Sequence, residues 1–127
     1  MDKATLVRMD VEAGAEIITA LDNTSLRVNV GLWAALADYA DPRLVLASRF
    51  FDDEDPRDAY GAVFKALRHS KPSSHSVSDI LILRMKDPFI RDLRRLFSKT
   101  SDVSGMRLGG RSFGGRFLED AYVYRIK

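Results

Sequence analysis

Two Asp-Pro pairs do most to limit how this chain can fold. "DPRDAYGAVFKAL" from Asp55 and "DPFIRDLRRLF" from Asp87 each place a carboxylate before a proline, followed by an amphipathic run. The aspartate can accept from the free amides of a first helical turn. Proline suits the first helical position, where no amide hydrogen is needed. Both runs are therefore read as helices. Tyr60, Val63, Phe64 and Leu67 supply the buried stripe of one, and Ile90, Leu93 and Phe97 that of the other. A third helix is predicted over residues 2 to about 22, where Met9, Ala13, Ile17, Ala20 and Leu21 recur at three- and four-residue spacing. Gly14 weakens that helix by about 1 kcal/mol relative to alanine.

The segments between the helices have a different period. Val28, Val30 and Leu32 alternate with Arg27, Asn29 and Gly31, then "DYADPR" supplies a turn and "RLVLASRFF" resumes an apolar run. This reads as a hairpin, although the Ala and Leu content of "GLWAALADYA" would also suit a helix. "HSKPSSHSVS" is a polar loop. "DILILRMK" is nearly continuous in apolar residues and is expected as a central strand. "GMRLGG" and "RFLEDAYVYRIK" close the chain as a second hairpin.

The resulting order, α-β-β-α-β-α-β-β, describes a single α+β domain over residues 1–127. It is expected as two layers, a mostly antiparallel sheet of about five strands against three helices. Its core should draw on Ile17, Leu21, Val30, Val45, Val63, Phe64, Leu67, Leu81, Leu83, Leu93, Phe97 and Val123. Trp33 points away from Val30 and Leu32 on a strand, so it fills a second layer or lies at an interface.

A chain of 127 residues that is 46% hydrophobic and 30% charged can bury a core without disulfides or a structural metal. It contains no cysteine, which removes thiol nucleophiles and thiolate metal sites. No cofactor and no metal are expected. The N-terminal stretch carries scattered acids rather than a basic-then-apolar leader, and "VGLWAALA" is far short of the ~18 residues of a membrane span. A cytoplasmic location and no membrane partner are expected.

Charge is unevenly distributed. Residues 1–60 carry six basic and twelve acidic side chains, a net of −6, and residues 61–127 carry fourteen and six, a net of +8. Such a split can mark an acidic and a basic partner surface, unless the halves interleave in space.

The glycine-rich stretch "GMRLGGRSFGGRF" lacks the Gly-Lys-Ser/Thr of a phosphate loop and leads into a strand-like run. Gly109, Gly110, Gly114 and Gly115 therefore read as hairpin or bulge residues, with Arg107, Arg111 and Arg116 as an anion grip in the alternative. Arg91, Arg94, Arg95 and Lys99 share one helix face and could meet phosphates or an acidic protein. Tyr122 and Tyr124 fall on one face of the last strand with Asp120 and Ile126, opposite Glu119, Ala121, Val123 and Arg125. They could stack bases or pack in the core.

The acidic run Asp52, Asp53, Glu54, Asp55 and Asp58 suits a helix start and an acidic partner surface better than a metal site. His69 and His75, near Ser73, Ser74 and Asp79, lack the rigid framing of a triad. The leading expectation is a non-catalytic protein-interaction or regulatory module with opposed acidic and basic surfaces, binding a protein partner or a second copy. A nucleic-acid-binding domain is the alternative. A small ligand-binding protein or enzyme is the third, with a site assembled from residues such as Asp120, Tyr122, Arg111 and His69.

Overall fold

A computed structural model describes residues 8–70, 79–100 and 102–127. The chain runs α1 (Arg8–Asp22), β1 (Val30–Leu36), β2 (Arg43–Ala47), a 3₁₀ turn (Arg49–Phe51), α2 (Pro56–Ser70), β3 (Ile80–Ile82), α3 (Pro88–Phe97), β4 (Arg107–Leu108), β5 (Arg111–Phe113) and β6 (Arg116–Ile126). Residues 2–7 of the predicted first helix and 71–78 of the predicted loop lie outside the described residues. The class is α+β in the expected order, with the first arm of the second hairpin broken into β4 and β5 at Gly109–Gly110.

Both Asp-Pro starts form as the cap chemistry requires. Asp55 Oδ1 accepts from the Arg57 amide at 2.9 Å, and Asp87 Oδ1 from the Phe89 amide at 2.9 Å. The "FGGR" turn joins β5 to β6 with φ of +54° at Gly114 and +84° at Gly115. Two successive positive φ values match the right-handed twist of a tight hairpin.

The six strands form one sheet in the order β3-β2-β1-β6-β4, with β5 also paired to β6. All pairs are antiparallel except β2 with β3. "DILILRMK" thus supplies an edge strand, not the expected central one. Its apolar continuity has another cause. Ile80 packs on the α1/α2 side of the sheet, while Leu81 and Leu83 pack on the α3 side, so even this edge is covered on both faces.

The same two-sidedness corrects the two-layer expectation. All seven residues of β1 are buried. Val30, Leu32, Ala34 and Leu36 meet Phe89, Ile90 and Leu93 of α3 in one cluster. Trp33, Leu44 and Leu46 meet Ile17, Ile18 and Leu21 of α1 and Val63 and Leu67 of α2 in the other. The sheet is the middle of three layers, and Trp33, only 3% exposed, fills the second core. Of the expected core, Phe64, Leu81 and Phe97 are partly buried and the rest are fully buried.

β6 does not alternate simply. Its register against β1 shifts between Gly31 and Leu32 and again between Ala35 and Leu36, which leaves Tyr124 and Glu119 as extra residues in the ladder. Each insertion flips the faces beyond it. Ile126 therefore joins Val123 and Ala121 in the α3-side core, against the expected pairing with the tyrosines, and Arg125 turns to the other face.

Candidate functional site

α3 owes its orientation to Phe89, Ile90 and Leu93, all with no exposed surface. With that stripe anchored against β1 and β6, Arg91, Arg95 and Leu96 are left exposed on the helix and Lys99 just beyond its end. The β5–β6 turn abuts the start of this helix. The Gly114 amide donates to Asp92 Oδ2 at 2.7 Å, and Arg95 approaches Asp92 Oδ1 at 3.3 Å. The Gly114 amide, then Arg95, hold the Asp92 carboxyl below its ordinary pKa, and the positive charge of Arg111 adds to the effect. Arg111 itself lies over the Phe113 ring, 4.8 Å from its centroid. Pro88, Arg91, Asp92, Arg95 and Gly114 line a shallow depression of about 270 Å³. Arg91, Arg95 and Arg111 are thus gathered around one structural carboxylate.

Other basic candidates are committed elsewhere. Arg94 donates from Nε to the Lys127 carbonyl at 2.8 Å. Arg107 pairs with Asp120, which raises the arginine's already high pKa. Arg116 lies 3.9 Å from Asp38 and 4.0 Å from Asp87. Tyr122 and Tyr124 sit on the α1/α2 side, partly buried in a T-shaped pair 5.2 Å apart, and the Tyr124 hydroxyl donates to the Val11 carbonyl. The sheet separates them from α3.

The acidic run divides in the same way. Asp52 Oδ1 accepts from the Met85 amide at 2.9 Å, and Asp55 caps α2. Arg84 crosses from the end of β3 to donate to the carbonyls of Asp52 at 2.8 Å and Glu54 at 3.0 Å. Asp53, Asp55 and Asp58 remain exposed at the start of α2. Among the described residues, no group of three or more His, Asp or Glu side chains is placed to hold a metal ion. Asp120 and Tyr122 are on the sheet with Arg107, whereas Arg111 turns toward α3. Of the histidine group, Ser73, Ser74, His75 and the side chain of His69 lie outside the described residues. No helix among the described residues is long and apolar enough to cross a membrane.

Two tertiary contacts have little or no signature in the sequence. Asp92 was legible as an i,i+3 partner of Arg95, but its hold on Gly114 depends on the packing of hairpin against helix. Arg125 pairs with Asp22 at 2.8 Å across most of the chain, and nothing local signals such a contact. Compared with known proteins, this chain matches no family model, no curated protein and no solved structure.

Proposed function

We propose that the protein is a non-catalytic interaction module that docks an acidic segment of a partner protein on the outer face of α3. Arg91, Arg95, Lys99 and Arg111 supply the charge, and Leu96 supplies an apolar contact. The observation that carries this reading is Leu96, 38% exposed beside those cations on a helix whose opposite side is fully buried. An exposed leucine among arginines suits a peptide with both acids and apolar side chains, because interfaces combine an apolar centre with a charged rim. The acids at the start of α2 belong to the opposite layer. They offer a second, separate surface of opposite sign, so the partner can also be a second copy of this chain.

Nucleic-acid binding is the alternative that the same arginines support. It loses the stacking pair, since Tyr122 and Tyr124 pack beneath α1 rather than beside α3. The two readings separate in one experiment. Fluorescence anisotropy with a labelled Glu/Leu-containing peptide and with labelled DNA and RNA, over a salt series, should show peptide binding that Arg91→Glu with Arg95→Glu removes. A nucleic-acid affinity that exceeds the peptide's, falls log-linearly with salt and is lost in the same variant would reverse the assignment. Sedimentation velocity of the wild type reports whether a second copy is the partner.

A further inference from the structure

A different basic site lies at the end of the sheet away from the β5–β6 turn. Asp22, Arg27, Val28, Asn29, Arg125 and Lys127 line an open cavity of about 400 Å³. That volume is within the range that holds small organic ligands. Its lining includes three cationic side chains and one carboxylate side chain, and that carboxylate is already engaged. Asp22 accepts from Arg125 Nη1 at 3.1 Å and Nη2 at 2.8 Å, and from the Val28 amide at 3.3 Å. Arg125 is further fixed by donation to the Val28 carbonyl at 2.9 Å. Once the Asp22 and Arg125 side chains cancel, the Arg27 and Lys127 side chains remain as positive charge in the lining, while the backbone oxygen of Lys127 is bonded by Arg94.

The frame behind these groups is rigid. Asn29 is held through its amide to the Ala47 carbonyl at 2.8 Å and through its carbonyl by the Lys127 amide at 2.9 Å. Its Oδ1 accepts from the Arg49 amide at 3.0 Å, which leaves the Nδ2 hydrogens as its donors. The Lys127 carbonyl is tied in turn to Arg94. The cavity lining therefore offers donors from Arg27, Asn29 and Lys127 on a hydrogen-bonded backbone, and its carboxylate side chain already accepts three hydrogen bonds. A tetrahedral anion rich in acceptor oxygens complements that set, since charge-assisted hydrogen bonds from fixed donors are the strong ones.

We propose that this cavity binds a small phosphorylated molecule, its phosphate held among Arg27, Asn29 and Lys127. The site is separate from the α3 face and does not depend on the docking proposed there. The test is an amide-shift titration by ¹H–¹⁵N NMR, using inorganic phosphate, a nucleoside 5′-monophosphate and sodium chloride at matched ionic strength. The wild type should show saturable shifts at Val28, Asn29, Arg125 and Lys127, larger with the monophosphate than with phosphate. Arg27→Gln with Lys127→Gln should weaken binding by at least about tenfold, the loss expected when charge-assisted bonds are removed. These substitutions leave the Asp22–Arg125 pair and the backbone ties intact, so the variant remains folded. Arg91→Glu with Arg95→Glu should leave the titration unchanged. Shifts that sodium chloride reproduces, or that spread equally over Arg91, Arg95 and Arg111, would overturn the proposal. An oligonucleotide binding more tightly than the monophosphate through the same amides would overturn the small-molecule assignment.

Discussion

At Gly114 a β-carbon would lie 2.2 Å from the Pro88 carbonyl carbon and 2.3 Å from the Phe89 nitrogen, in a backbone with φ of +54°. Neither neighbour can move without disturbing the first turn of α3. Gly114→Ala should therefore cost at least ~2 kcal/mol, combining overpacking with a left-handed backbone. Gly115→Ala, at φ of +84° with nothing within 4 Å of the added carbon, should cost only about 1 kcal/mol. Urea denaturation of the two variants separates the effects. Gly14 poses the same question inside a helix. Propensity favours alanine there by about 1 kcal/mol. Yet its β-carbon would stand 2.4 Å from the Tyr124 hydroxyl and 2.5 Å from Trp33 Nε1. Gly14→Ala should destabilise the protein, the reverse of the propensity ranking, with a lower denaturation midpoint as the readout. Asp22 adds a pH dependence. Burial opposes its ionisation, but the Arg125 hydrogen bonds, the Val28 amide and the charges of Arg125 and Arg27 outweigh burial and lower its pKa from 3.8. A lowered native pKa gives stability that is full above the unfolded value and fades as pH falls through the folded one. Denaturation midpoints of wild type and Asp22→Asn should differ at neutral pH and converge in acid below that window.

Among the elements, the strand edges show how the sheet ends. The outer amide of Ile82 in β3 donates to the Tyr60 hydroxyl at 3.0 Å, so a side chain from α2 occupies a position where another strand could pair. Tyr60→Phe should lower stability by about 1 kcal/mol and speed hydrogen exchange at the Ile82 amide relative to its neighbours. Elements with local causes were legible in the sequence. The Asp-Pro caps placed α2 and α3, and the paired glycines placed the β5–β6 turn. Elements defined by distant partners were less so. The edge position of β3 follows from its parallel crossover through α2, and no run of three apolar residues encodes that. The bulges at Glu119 and Tyr124 shift β6 relative to β1 while its sequence alternates almost regularly, so Arg125 and Ile126 were assigned to the wrong faces, while Tyr122 with Tyr124 and Ala121 with Val123 were assigned correctly. One signal did bear on the layers. "VGLWAAL" contains no polar residue, as a strand buried on both faces requires.

For the molecule as a whole, part of the charge imbalance between the chain's halves is taken up by contacts that cross between them. Arg125 of the basic half holds Asp22 of the acidic half, Arg116 faces Asp38, and Arg84 ties down the backbone of the acidic run. The candidate partner surfaces draw on charge left unpaired by these ties: Arg91, Arg95, Lys99 and Arg111 on one side and Asp53, Asp55 and Asp58 on the other. This is why those surfaces could be read only in part from charge counts. Such cross-chain ties also predict one cooperative unit. β6 lies between β1 and β4 and contributes to both cores, so a chain ending before Arg116 should lack a cooperative unfolding transition and be cleaved rapidly by proteases.

The central position of β6 has a consequence in time. Among the described strands β1 is the first made, and one of its two sheet neighbours, β6, is the last. As the chain emerges from a ribosome, Trp33 and the apolar run around it must wait, one side of their ladder open, until the elements between β1 and β6 have been synthesised. Long-range closure of this kind is slow. Until β6 arrives, the open edge beside Trp33 is an apolar surface of the kind a chaperone covers.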